Sequence, residues 1–322
     1  MRIAVVHYKA KSYGGGEVVS EIITESLNAE RIVFTSVAEM LHPHHRAYLS
    51  EMYDAIISTH NKCKLLYHRN HIAYFHHIPK SLYVFKTAQF KPIRRLVDKL
   101  VTKRIKHIIV NSELTAQRVK EIYGMDSKIL YPPIEVKKYK NKQPEDYFLY
   151  IGRLNFEKHI EDMVLACYLN DSKLVVVGDG EHRDYYLKLF EQYEGVVEYR
   201  GWVDEKEKID LLAHCKALVL PTYHEDYGIV FAEAVASGKP IVTNDTCYFA
   251  WVIRKHPSVG VSIPWFSDSS VRAVNYAFAL SKLERMYADG KVDVSPAMDY
   301  VLDISDFKKR IRRIVEEQLN RP

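Results

Sequence analysis

The amino-acid sequence predicts an α/β protein made of two successive doubly wound parallel-sheet domains. Three observations carry that prediction. Short apolar runs of strand length alternate with longer stretches of helical period, the pattern that builds βαβ units. The alternation is interrupted over Tyr131 to Asp146, where Pro132, Pro133, Pro144 and four lysines fall with little apolar periodicity, and a second alternating series follows. Finally, 322 residues suit two domains, and 47% hydrophobic with 27% charged residues is the profile of a folded chain rather than a disordered or fibrous one.

In the first series the strands are Ile3 to His7, Arg31 to Thr35, Ala55 to Ser58, Ile72 to Phe75, His107 to Asn111 and Lys128 to Tyr131. Between the fourth and fifth lies a helix, Ile93 to Lys106. Leu96, Val97, Leu100, Val101 and Ile105 share one of its faces, and Arg94, Arg95, Lys99, Lys103, Arg104 and Lys106 lie on the other. Two readings of this helix stay open: its apolar face packs on the first sheet while the basic face is hydrated, or it docks on an anionic membrane. The second series runs Tyr147 to Ile151, Lys173 to Val177, Val196 to Arg200, Ala217 to Leu220, Ile241 to Thr243 and Gly260 to Ile263. A last amphipathic helix, Asp306 to Leu319, closes the chain through Phe307, Ile311, Ile314 and Val315. The domains are therefore drawn at 1–143 and 144–304. Ligands of such open sheets bind beyond the carboxyl ends of the strands, so the loops there hold the candidate chemistry.

The net charge of +5 hides an asymmetry. Lys and Arg outnumber Asp and Glu by 24 to 12 in residues 1–143 and are outnumbered 22 to 29 in residues 144–322. A cationic first half suits phosphates, an anionic membrane surface or nucleic acid. No signature of an RNA- or DNA-binding module appears, so no nucleic-acid partner is expected. Cys63, Cys167, Cys215 and Cys247 are far apart without a CxxC pair, which suggests reduced thiols rather than a disulfide framework or zinc site. With no run of membrane-spanning length and no room for a signal segment before the first strand, the expected location is cytoplasmic, with no transmembrane anchor.

Three motifs follow strands. Tyr13-Gly14-Gly15-Gly16-Glu17 follows the first and precedes a helix; its glycines let backbone approach a phosphate or sugar closely. Gly152-Arg153-Leu154-Asn155-Phe156-Glu157-Lys158 opens the second series and places two cations where both can converge on one anion. The longest runs from Leu220 to Pro240. In it Glu225 and Glu233 are separated by seven residues, and Gly228 stands where loop becomes helix. The amides of Gly228, Ile229 and Val230 then form a diphosphate site at a helix N-terminus, and Glu233, one turn inside, suits the vicinal hydroxyls of a ribose.

Together with Gly178-Asp179-Gly180-Glu181, Gly201-Trp202-Val203 and the closing Gly238-Lys239-Pro240, these motifs resemble the GT-B glycosyltransferases of retaining family 4. The resemblance covers nearly the whole chain. It implies two Rossmann-like domains facing a deep cleft, with the terminal helix, within 305–322, returning to the first domain. By resemblance, Arg153 and Lys158 bind the donor pyrophosphate, Glu233 holds the ribose, Glu225 faces the donor sugar, backbone near Val203 meets the base, and Gly15 and Gly16 lie near the phosphates and sugar. In Tyr74-Phe75-His76-His77-Ile78-Pro79, His76 takes the place of the family's histidine near the transferred sugar and acceptor. The implied activity moves a sugar from a UDP- or GDP-linked donor to a glycan or lipid-linked acceptor, with no metal or other cofactor. Departures occur at His159, at Asp226 and in the loop Asn244 to Trp251, which lacks the family's frequent Gly-Gly-x-x-Glu beside the sugar pocket. A nucleotide-sugar epimerase and a noncatalytic nucleotide-sugar-binding protein remain the alternatives on this scaffold.

Overall fold

A computed structural model describes residues 2–9, 14–83 and 91–319, leaving aside the side chains of Ser81 and Lys91. Tyr13 of the glycine-rich motif and residues 320–322 lie outside the described residues. The chain forms two compact units, one of residues up to Pro133 together with those from Asp303 onward, the other Ile134–Leu302.

The first unit is a sheet of β1 (Ile3–Tyr8), β2 (Glu30–Phe34), β3 (Ala55–Ser58), β4 (His71–Phe75), β5 (His107–Val110) and β6 (Lys128–Ile129) in the order β2-β1-β3-β4-β5-β6. Every neighbouring pair is parallel. Its helices are α1 (Gly15–Leu27), α2 (Val37–Leu41), α3 (Pro43–Met52), α4 (Lys80–Tyr83), α5 (Lys91–Thr102) and α6 (Glu113–Tyr123). Local chemistry sets their ends: Ser36 and Glu39 form a reciprocal capping box on α2, the Ser112 hydroxyl caps α6, and Gly124 ends α6 in the left-handed region. One core lies between β1 and β3 and the helices α2 and α3, around Val6, Phe34, Met40, Leu49 and Ile56. Another, around Phe75, Ile105, Ile108, Val119 and Tyr123, fills the β4, β5 and α6 side.

A two-residue strand, β7 (Pro133–Ile134), leads into the second unit. There β8 (Phe148–Ile151), β9 (Leu174–Val177), β10 (Val197–Gly201), β11 (Ala217–Val219), β12 (Ile241–Asn244) and β13 (Gly260–Ile263) alternate with α7 (Ile160–Leu169), α8 (Arg183–Glu191), α9 (Glu205–His214), α10 (Ile229–Ala236), α11 (Tyr248–Lys255) and α12 (Ser269–Ala288). The sheet order is β10-β9-β8-β11-β12-β13, again all parallel. The runs Phe148–Ile151, Leu174–Val177 and Ile241–Asn244 are buried along their whole length, as strands covered by helices on both faces must be. After β14 (Leu302–Asp303) the chain returns to the first unit as α13 (Ile304–Leu319). Phe307, Ile311, Ile314 and Val315 are buried, α13 lies against α1, and Arg312 donates through Nε to the Ser26 carbonyl.

Two sequence readings need correction. The boundary between units falls at 133/134, at the start of the proline- and lysine-rich stretch rather than at 143/144. The return falls at 302/303. Residues 134–142 belong to the second unit because they are bonded into it: Tyr139 is buried and donates to Glu233 (2.9 Å), and the buried Lys239 ammonium donates to the Lys142 carbonyl (2.6 Å). The other correction is α5. Of its predicted apolar face, Leu96, Val97 and Leu100 are 50–58% exposed, as is Ile93 at 64%, so they do not pack on the first sheet; Ile105, past the helix end at Thr102, does join the core, and Asp98 and Thr102 are buried. All four cysteines are free and buried, and among the described residues no helix is long and apolar enough to cross a membrane.

Candidate functional site

The strand orders decide which loops meet. In the second unit the order reverses between β8 and β11, so the loop after β8, with Arg153 and Lys158, and the loop after β11, with Glu225 and Gly228, flank the switch point where open α/β sheets bind ligands. The two loops are joined by the Tyr223 amide, which donates to the Glu157 carbonyl (3.3 Å).

Glycine shapes the first loop. Gly178, at φ 128°, sits so close that a β-carbon there would lie 2.0 Å from the Gly152 carbonyl oxygen, so no side chain fits. Leu154 is fully buried, its amide donating to the Asp179 carbonyl (3.1 Å). Residues Phe156–Lys158 make a 3-10 turn, and His159, at φ 51°, turns the chain into α7. Lys158 Nζ meets Glu225 Oε2 at 3.0 Å, with side chains 16% and 25% exposed. Arg153, 53% exposed, reaches Glu157 at 3.4 Å. The two cations predicted to converge thus each face a glutamate, and Lys158 is the more sheltered.

The second loop is held from below. Thr243 Oγ1 donates to the Leu220 carbonyl (3.0 Å), Asn244 Nδ2 to the Thr222 carbonyl (2.9 Å), and the His224 amide to Thr246 Oγ1 (2.9 Å). His224 adopts φ 55°, uncommon for a residue with a side chain, and the Glu225 carbonyl accepts from the Tyr248 amide (2.9 Å). Gly228, at φ 78°, precedes α10, and a β-carbon there would lie 2.5 Å from the Phe231 ring. Its cap residue Gly228 offers no side chain, and the amides of Ile229 and Val230 lie in the first turn of the helix. One turn on, Glu233 is 6% exposed. Its Oε1 accepts from Tyr139 (2.9 Å) and from Lys208 (2.8 Å), whereas its buried Oε2 has no hydrogen-bond partner among the described residues. Such a buried carboxylate oxygen has the capacity to accept a further hydrogen bond. Val203, after β10, is half-buried beside the exposed Trp202.

Sequence reasoning missed the residues that hold these groups. Tyr139 and Lys208 fix Glu233. Behind Lys158, Asp162 on α7 is fully buried and takes Arg272 of α12 in two bonds (2.5 and 3.2 Å), with Ser269 as a further donor. Arg272 also meets His159 Nδ1 (3.3 Å) and stacks over Trp265. A signal for Asp162 was present: an acid beside Ile160, Met163 and Val164 on the apolar side of a helix needs a buried partner.

In the first unit the order turns between β1 and β3. Gly14 precedes α1, and Gly16 stands against His76, a β-carbon at Gly16 falling 3.8 Å from the imidazole Nε2. That buried nitrogen has no hydrogen-bond partner among the described residues. The His76 carbonyl is fixed by Asn111 Nδ2 (2.7 Å). His7, unremarked in the sequence, lies nearby at the end of β1, bonded to Thr59 (2.8 Å) and facing Glu17 (3.5 Å). Burial holds these imidazoles neutral: His76 is pushed down to about 3, with the neighbouring His77, His7 and His60 adding to the effect, and His60 and His71 fall to about 4. The unfolded chain takes up protons near pH 6.5 where the folded one does not, so the stability tied to neutral histidine is present above pH 6.5 and is lost as pH falls toward 4. Urea unfolding at pH 5.5 is expected to show a loss on the order of 2 kcal/mol relative to pH 7.5, allowing for the partial exposure of His60 and His76. A midpoint unchanged over that range would contradict it.

Residues 133–291 match the family model of glycosyl transferases group 1. An uncharacterized glycosyltransferase of Methanocaldococcus jannaschii is 32% identical over 141 residues, which are 38% of this chain and 35% of that protein. The O-antigen chain mannosyltransferase of Salmonella typhimurium is 26% identical over 208 residues, 62% of this chain and 58% of its own. The aligned stretches thus span about a third to somewhat over half of these curated relatives. The crystal structure of Anabaena HepE in complex with UDP superposes with a TM-score of 0.74 at 17% identity, covering 98% of this chain and 100% of that one. That likeness shows the fold.

Proposed function

From the glycosyl transferases group 1 domain spanning residues 133–291, we propose that this protein is a glycosyltransferase that takes a sugar from a UDP- or GDP-linked donor and passes it to a glycan or lipid-linked acceptor with retention of anomeric configuration. One observation carries the reading furthest. Lys158 and Glu225 meet at the sheet's switch point beside the glycine-led start of α10, and Glu233, one turn along, keeps one buried oxygen without a partner among the described residues.

Breaking the donor's anomeric C–O bond puts negative charge on the departing diphosphate while the sugar becomes oxocarbenium-like. Lys158, Arg153 and the amides of Gly228, Ile229 and Val230 are proposed to stabilise that charge, with backbone near Val203 beside the base. At ~4 Å and an effective dielectric of about 20, one charge pair contributes roughly 4 kcal/mol. A lysine that pairs with Glu225 before transfer and with phosphate during it favours the transition state selectively. Glu225 then orients the sugar hydroxyls. His76, held neutral by its burial, is assigned with Gly15 and Gly16 to the sugar and acceptor side. Charge stabilisation by side chains and amides requires no metal.

Thermal shift against a panel of UDP- and GDP-sugars, with and without EDTA, tests the donor. Stabilisation of about 2.7 kcal/mol at a hundredfold excess over Kd is expected for the true donor, unaffected by chelation. No shift with any of them would remove the proposal. NMR of the product's anomeric proton then decides retention.

Replacing Glu233 by Ala is expected to weaken free nucleotide and nucleotide sugar alike, about ten- to hundredfold, the worth of hydrogen bonds to a buried carboxylate. Lys208→Met should follow in the same direction, because that ammonium holds Oε1. Calorimetry giving wild-type affinity for Glu233→Ala would refute the ribose assignment.

A further inference from the structure

Helix α5 is built inside out. Its inward side is polar: Asp98 accepts from Tyr83 (2.9 Å) and Tyr123 (2.7 Å) and pairs with the buried Lys64, Thr102 is fully buried, and Arg95 Nε donates to the Leu82 carbonyl (2.8 Å). These bonds fix the rotation of the helix, because turning it would strand a buried carboxylate. The outward side carries Ile93 (64% exposed), Leu96 (58%), Val97 (50%) and Leu100 (55%), positions spaced three or four apart and so forming one continuous stripe. Arg94 borders the stripe on one edge and Lys99 on the other, with Lys103, Arg104 and Lys106 just beyond the helix end. No acid lies on this outer face; Asp98, the single acid of α5, points inward.

We propose that α5 is a membrane-docking surface, and that its partner is the face of a bilayer bearing anionic phospholipid. The charge pattern selects this occupant. A second copy of the helix would bring basic borders against basic borders, whereas phospholipid headgroups supply phosphate to the edges and acyl chains to the stripe. At 12 residues the helix lies in the interface and does not cross it. The inference stands apart from the transferase reading, since it concerns binding of the first unit to lipid and holds whatever the second unit catalyses.

The test is co-sedimentation of the full chain with vesicles of phosphatidylcholine alone and of phosphatidylcholine with phosphatidylglycerol, at low and high salt, beside sedimentation velocity without lipid. Wild type is expected to bind the anionic vesicles, more weakly as salt rises, and scarcely to bind the neutral ones. Leu96→Ser with Leu100→Ser should lower the partition coefficient at least tenfold, and Lys99→Gln with Lys103→Gln about fivefold per charge. Both double variants should keep the wild-type melting temperature, because the altered side chains face outward. Three outcomes overturn the proposal: wild type stays in the supernatant with anionic vesicles, the serine variant binds as well as wild type, or the chain self-associates without lipid and the same serines abolish that association.

Discussion

Replacing Lys158 by Ala is expected to lower kcat about a hundred- to thousandfold while changing the affinity for donor much less. The position of its charge sets this split. Lys158 is 16% exposed and meets Glu225 at 3.0 Å, so in the free protein its charge is already balanced. Ground-state binding therefore gains little from it. In the transition state the diphosphate carries more negative charge than the intact donor, and an ammonium at ~4 Å stabilises that increment; 3 to 4 kcal/mol corresponds to the stated factor. Arg153→Ala should act in the same direction with a smaller factor, because that side chain is half in water and screened. Steady-state kinetics with calorimetric donor affinities checks both. An unchanged kcat in the Lys158 variant would sink the mechanism, and an equal loss in kcat/KM carried wholly by KM would make the residue a simple anion binder.

Arg272→Met is expected to destabilise the second unit by about 3 to 5 kcal/mol, roughly 10 °C in Tm, because it leaves Asp162 charged and buried without its two-bond partner. Asp162→Leu with Arg272→Met should recover much of that loss, since an apolar pair of similar volume removes both desolvation penalties. The double variant separates stability from function. Arg272 also contacts His159, the left-handed residue after Lys158, so a refolded core that still lacks this contact should retain a reduced kcat. Thermal melts of the two single variants and the double variant decide it: melting points that simply add would show that no coupling exists.

Much of the architecture was legible because parallel sheets write themselves plainly. Runs such as Ala55 to Ile57 and Leu174 to Val177 are apolar throughout, and their burial on both faces leaves no alternating pattern to misread. The loops after β8 and β11 were legible through glycine spacing, and strand order then brings them to one place. Helix α5 was only half legible. Periodicity reports that a helix has an apolar face, not what that face meets, and the decision was made by Asp98 finding Lys64, Tyr83 and Tyr123 elsewhere in the chain. Tyr139 and Lys208 carried no local signal at all, because their role exists only through Glu233. The boundary moved for a similar reason: prolines and lysines read as linker, yet a buried ammonium from Lys239 ties that segment down.

The path of the backbone bears on biogenesis. Helix α13, translated after the whole of the second unit, rests on α1, which is translated before it. On the ribosome the second unit has every strand it needs before the first can finish. Until residues 304–319 emerge, the side of α1 they will cover stands open to chaperones and to other nascent chains. The first unit is thus begun before the second and completed after it.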